Sequence, residues 1–212
     1  MYWDSSRGDE MEMIPSAPSK KPVPAIVVLG RFQPLHRGHA SLLRAAVEFR
    51  NTSHPNMKLR IMLGSSNVER SPENPWDWQE REEMVQSWLA NEGISNHEIS
   101  AVPDIGDAQR WVEHASNWHG DAGIIATSNE DTARLYSQAG WQVELIPLLD
   151  REDLQGWRVR ETMKMVSTIG DEEAIRSILR ESLEEVVVDW LLADSARIRR
   201  LAFLGPSVER VG

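Results

Sequence analysis

The sequence predicts an α/β protein, a doubly wound parallel β-sheet followed by a C-terminal cap of helices. Three observations carry this expectation. Short apolar runs alternate with amphipathic segments between residues 25 and 146. The first run, Ala25-Ile-Val-Val-Leu29, is apolar without alternation and ends on Gly30. After residue 150 only helical spacing continues. An unbroken apolar run is what a strand needs when helices cover both faces of its sheet, as they do in parallel sheets.

The elements follow in order. Residues 25–29 form the first strand. Gly38 to Arg50 is predicted as a helix, because Leu42, Leu43, Ala46 and Val47 fall on one side. Leu59 to Leu63 is a second strand before Gly64. Ser65 to Trp78 carries Pro, Asn, Asp and Ser and reads as a loop. Gln79 to Leu89 is a helix with Met84, Val85, Trp88 and Leu89 inward. Ile99 to Val102 is a short strand. Asp107 to Ser116 is a helix with Asp107 as its N-cap. Gly123 to Thr127 is a strand, Asp131 to Ala139 a helix closed by Gly140, and Gln142 to Ile146 the last strand. Arg160–Val166, Glu172–Arg180 and Glu184–Arg200 are expected as helices. Right-handed crossovers join such units into a Rossmann-like sheet. The expected organisation is a flexible tail over 1–22, an α/β domain over 23–150, and a helical region over 151–212.

Composition narrows the function. The chain has 212 residues and a formal net charge of −10. That balance disfavours general binding to nucleic acid or to an anionic membrane, because phosphate contacts need a basic surface. There is no cysteine, so disulfides and thiolate metal sites are excluded. The N-terminus lacks the basic start and apolar run of a signal peptide, and no stretch approaches a membrane span. A cytoplasmic location is expected. Trp3 and Met13 are candidates for packing of the tail.

The turn after the first strand carries the chemistry: Gly30-Arg-Phe-Gln-Pro-Leu-His36-Arg-Gly-His39. It is neither a Walker-type loop nor a Gly-x-Gly-x-x-Gly turn. It sits where an open α/β sheet binds ligands, at the carboxyl end of a strand beside a helix N-terminus. Gly38 lets a phosphate approach the backbone. His36 and His39, three residues apart at a helix start, face one side. Two imidazoles, free backbone N–H groups and an Arg supply donors for charge developing on a phosphate. Zinc is disfavoured, since no third ligand is suggested by spacing. His54, His97, His114 and His119 have no supporting pattern and are expected on the surface.

The segment GRFQPLHRGH resembles the signature of archaeal-type nicotinamide-nucleotide adenylyltransferases, within the wider His-x-Gly-His nucleotidyltransferase superfamily. The resemblance extends from about Ala25 to Met163. Gly64-Ser-Ser66, Glu73-Asn-Pro-Trp76 with Glu80-Arg81, Val102-Pro-Asp-Ile105 with Trp111-Val112, Thr127-Ser-Asn129, and Arg151-Glu152 followed by Gly156 to Arg160 match its further elements in order. The resemblance implies transfer of AMP from ATP to nicotinamide mononucleotide, giving NAD and pyrophosphate, with Mg²⁺ accompanying ATP on the triphosphate and water. It implies His36, His39 and Arg160 as catalytic residues. Gly30, Arg31, Phe32, Gln33, Gly38, Thr127 and Arg158 would bind ATP. Trp111, stacked on the nicotinamide ring, Arg81 and Asn74 would bind the acceptor. No protein metal ligands are expected, and a homo-oligomer is suggested.

Three stretches depart from the family pattern. Gln155-Gly156-Trp157 stands in place of Ser-Gly-Thr, and Arg158 is offered as an electrostatic replacement. Ala108 replaces an Asn three residues before the stacking Trp. Ser128 replaces a Gly. Arg81 also has a simpler reading, as a helix partner of Asp77. Two other functions stay open on the sequence: a related nucleotidyltransferase using another phosphate-bearing acceptor or CTP, and a non-catalytic nucleotide-binding module.

Overall fold

The computed structural model describes residues 15–148 and 155–205. Residues 1–14, which hold most of the expected tail with Trp3 and Met13, lie outside the described residues, as does the Arg151-Glu152 pair. Residues 15–22 carry no helix or strand, and Lys21 pairs with Asp121 at 2.5 Å.

Five parallel strands make one sheet: β1 Ala25–Gly30, β2 Leu59–Leu63, β3 His97–Ala101, β4 Gly123–Thr127 and β5 Gln142–Leu145. Their order is β3-β2-β1-β4-β5. The helices between them are α1 Arg37–Ser53, α2 Trp78–Asn91, α3 Trp111–His119 and α4 Glu130–Gln138. The C-terminal cap is α5 Gly156–Val166, α6 Glu172–Leu179, α7 Glu185–Ala193 and α8 Ala196–Phe203.

The unbroken apolar run of β1 divides by parity. Ile26 and Val28 enter a large core with Leu43 of α1, Trp88 of α2 and Leu191 of α7. Val27 enters a smaller core with Ala115 of α3 and Tyr136 of α4. Successive side chains of a strand point to opposite faces, so a strand sandwiched between two helical layers must be apolar at every position. The helical cap lies against the larger core.

Register places the site. Gly30 lies opposite Leu63, and Leu63 opposite Ala101, so the carboxyl ends of three strands are level. The chain winds outward from β1 in one direction and from β4 in the other. Their adjacent carboxyl ends form the crevice where doubly wound sheets take ligands.

Local chemistry sets the helix ends. Asp77 and Glu80 form a reciprocal capping box at the start of α2. Asn129 caps α4 through Thr132 N–H, and Gly140, with φ at 82°, turns the chain after it. Two expected helices differ. The helix predicted from Asp107 begins at Trp111, because the Asp107 carboxylate accepts Gln109 and Arg110 N–H and closes a separate turn. The helix predicted over 184–200 is broken in two. Asp194 is extended (φ −133°, ψ 106°) and its side chain accepts Ala196 N–H, starting α8 afresh.

Candidate active site

The crevice begins with a close backbone approach. A Cβ on Gly30 would come within 2.9 Å of the Phe32 ring. Phe32 is fully buried, with φ at 50°, and its ring centroid is 4.7 Å from that of His39. Ser65, at the end of β2, also has positive φ (53°). Phe32 and Ser65 thus both hold left-handed backbone beside the crevice, a strain typical of functional loops.

Gln33 is buried and turned inward. Its amide donates to Trp76 O at 2.7 Å and accepts Trp76 N–H at 3.2 Å, stitching this turn to the loop before α2. The Gln33 carbonyl accepts from Arg160 Nη1 at 2.9 Å. The side chains of Phe32 and Gln33, both expected as ATP contacts, shape the loop from beneath and line neither cavity of the crevice.

His36 is the N-cap of α1 and makes no side-chain capping bond. Its ring stacks on His39 at 3.9 Å, with 30° between the planes. Burial, with the Arg160 guanidinium nearby, lowers His36 to about 4. Burial first, then neighbouring His36, holds His39 well below the ordinary imidazole range. Both rings are therefore neutral at pH 7, and each offers one N–H. Nδ1 of each is buried without a hydrogen-bond partner among the described residues. Unmet buried atoms also occur on Ser66, Asn74 and the indoles of Trp78, Trp88, Trp118 and Trp190; the two imidazoles differ in meeting as a stacked pair on a cavity wall.

A second helix N-terminus meets the first here. α5 starts at Gly156 after Gln155, again without a side-chain cap. A Cβ on Gly156 would lie 3.3 Å from Arg160 Nη1 and 3.7 Å from His36 Nε2. Two uncapped helix starts and a guanidinium converging on one point make a site for an anion.

Two cavities share this wall. One, of about 430 Å³, is lined by His36, Gly38, Leu148, Gln155, Gly156 and Trp157. The other, of about 460 Å³, is lined by Gly30, Gly64, Ser65, Asp104, Trp111 and Thr127. Arg31, His39, Leu42, Ser128 and Asn129 line both. Each volume falls within the range of small-ligand sites. The Arg31 side chain is exposed to the crevice and has no hydrogen-bonded partner among the described residues.

The structure thus brings together Gly30, Arg31, His36, Gly38, His39, Trp111, Thr127 and, through Gly156, Arg160. Besides Phe32 and Gln33, three more expected ligand contacts lie elsewhere. Arg81 is 1% exposed, beneath the crevice floor. Its guanidinium donates to Arg31 O and Gly64 O, both at 2.7 Å, to Asp77 O at 3.3 Å and to Ser65 O at 3.5 Å. Those bonds tie the ends of β1 and β2 to α2, so Arg81 is a strut. Asn74 is buried in the loop before α2, bonded to Ser71, and lines neither cavity. Arg158 is exposed and lies over the ring of Trp157 rather than along a cavity wall.

Site residues beyond those expected are Ser65, Asp104, Asn129, Gln155 and Trp157. Asp104 accepts from Ser65 Oγ at 3.2 Å on the wall of the Trp111 cavity. Each sits just past the carboxyl end of a strand or at a helix start, and position in the fold was the signal available for them. Among the histidines expected on the surface, His119 is fully buried: its ring bonds Gly120 O at 2.8 Å and Tyr136 Oη at 2.9 Å.

Comparison with known proteins bears on family and fold. The family model described as cytidylyltransferase-like matches residues 27–162. The nicotinamide-nucleotide adenylyltransferase of Methanolobus tindarius is 30% identical over 138 residues, 64% of this chain and 74% of that one. Its namesake in Haloarcula marismortui is 26% identical over 187 residues, 85% of this chain and 93% of that one. Among solved structures, a bifunctional NMN adenylyltransferase/ADP ribose pyrophosphatase from Francisella tularensis superposes with a TM-score of 0.61 at 20% identity, covering 85% of this chain. This chain spans about half the length of that protein (53%), and the likeness is one of fold. The same protein has been solved with AMP and a manganese ion, at a TM-score of 0.53.

Proposed function

The chain belongs to the cytidylyltransferase-like family, and within it to the nicotinamide-nucleotide adenylyltransferases; from that premise we propose that it transfers AMP from ATP to nicotinamide mononucleotide, giving NAD and pyrophosphate. The observation that carries this reading is the pair of cavities that meet at His39, whose neutral ring stacks on that of His36.

Such a wall suits an in-line displacement. ATP occupies the cavity closed by the α1 and α5 N-termini, and the acceptor occupies the cavity holding Trp111. A phosphate oxygen of the acceptor attacks the α-phosphorus. The bond from that phosphorus to the bridging oxygen breaks, and pyrophosphate leaves with the electron pair. The protein makes no covalent bond; it positions two anions and meets the charge that develops. The imidazole N–H groups of His36 and His39 donate to the α-phosphate, and Arg31 balances charge between the two ligands. Arg160, held by the Gln33 carbonyl, supports the triphosphate. Trp111 stacks on the pyridine ring, and Thr127 lies at the end of β4 along the same wall.

A divalent cation supplies further charge neutralisation on the triphosphate. No cluster of three His, Asp or Glu side chains stands ready to hold one among the described residues, so phosphate oxygens and water would be its ligands. The manganese and AMP of the Francisella protein support a divalent ion, and Mg²⁺ is the ion we propose. No helix of the described residues is long and apolar enough to cross a membrane.

Incubation with ATP, Mg²⁺ and nicotinamide mononucleotide should yield equimolar NAD and pyrophosphate. Absence of NAD while ATP is bound would sink the acceptor assignment. CTP in place of ATP tests the choice of nucleotide.

A further inference from the structure

Trp157 is the large departure from the family pattern at the ATP cavity, and it is not packed away. It is 44% exposed and lines the cavity together with Leu148. Its ring is fixed nonetheless. Nε1 donates to Gln155 Oε1, and the Arg158 guanidinium carbon sits 5.3 Å from the ring centroid. An aromatic held by its edge and backed on one face, with surface left open in a cavity, is a stacking platform. Beside it are His36 and the α5 N-terminus, which the proposed reaction gives to the phosphates. The Trp157 ring and those phosphate donors thus line one cavity of about 430 Å³.

We propose that Trp157 stacks on the adenine of bound ATP, with Arg158 as a positioning residue behind the ring. This rests on the assignment of that cavity to ATP. A hydroxyl at this position would serve phosphate; an indole serves the base. The substitution thus moves binding energy from one end of the nucleotide to the other.

The test measures binding of MgATP and of inorganic tripolyphosphate by titration calorimetry to the wild type, W157A and W157F, with no acceptor present. Stacking of a base on an aromatic is worth enough that its removal weakens binding by about fivefold or more. W157A should weaken MgATP to that extent and leave tripolyphosphate within about twofold. W157F, which keeps an aromatic face, should recover most of the ATP affinity. Unchanged ATP affinity in W157A overturns the proposal, as does equal weakening of ATP and tripolyphosphate, or W157F binding as poorly as W157A. A wild type that binds ATP but makes no NAD fails the acceptor reading and leaves this one to be decided by the variants. A wild type that binds no ATP overturns both.

Discussion

Two sets of buried histidines occupy opposite ends of the same sheet, and they are shifted alike. His36, at the carboxyl end, and His119, at the end of α3 beyond the amino ends of the strands, are both lowered to about 4, in each case chiefly by burial. They differ in what they touch. Both ring nitrogens of His119 are bonded, to Gly120 O and Tyr136 Oη, and its carbonyl accepts from Arg60. His36 and His39 stack on each other with Nδ1 unmet. A depressed pKa therefore does not mark a site in this protein. Position separates the two sets: His36 and His39 stack on a cavity wall at the carboxyl end of the sheet, whereas the His119 ring is locked to Tyr136.

The sharpest break of this comparison is mutational. His36→Ala or His39→Ala should lower kcat by roughly 10²–10³, the effect of losing one well-placed transition-state donor. Stability should fall by no more than His119→Ala costs, about 2 kcal/mol, from the lost packing of one ring. A variant that unfolds but turns over normally when stabilised would reverse the roles assigned to the two sets.

Acid should act on both ends together. A histidine at about 4 in the folded chain and near 6.5 in the unfolded one binds its proton first in the unfolded state. Its favourable share is complete above pH 6.5, shrinks as pH falls, and is exhausted near pH 4. The loss is on the order of 3 kcal/mol per histidine. Urea melts between pH 7.5 and 4.5 should shift steadily downward, and a flat series would contradict the neutral, buried rings. Turnover should show no inflection near pH 6.5 from His36 or His39.

His119→Ala should cost about 2 kcal/mol at pH 7.5, from lost packing and an unmet Tyr136 hydroxyl, and should weaken that pH dependence. Its kcat should match the wild type when measured on folded protein. The smallest effect expected is for Arg81→Lys. An ammonium cannot reproduce a fork that reaches four carbonyls, so melting in urea should reveal a loss of about 1 kcal/mol. KM for the acceptor should move little, whereas a large rise with unchanged stability would return Arg81 to the ligand contacts.

The histidine wall was legible because its parts are contiguous: Gly30 through His39 spans one strand end and one helix start. The strands were legible because burial on both faces demands unbroken apolar runs. Arg81 was not, since its partners are carbonyls gathered by the register of β1 against β2, whereas the sequence displays only Asp77 four residues before it. His119 was misread as surface because Tyr136, its partner, lies on another helix with no periodic signal between them. Trp157 read as the loss of a hydroxyl until the fold set its ring along a cavity.

The wall common to the two cavities has a consequence for the order of events. Arg31, His39 and Asn129 face both, so each ligand, once seated, becomes part of the surface on which the other lands. Whatever factor ATP contributes to the affinity for its partner substrate, that substrate must return to ATP in equal measure. The crevice thus handles its two guests as one thermodynamic unit.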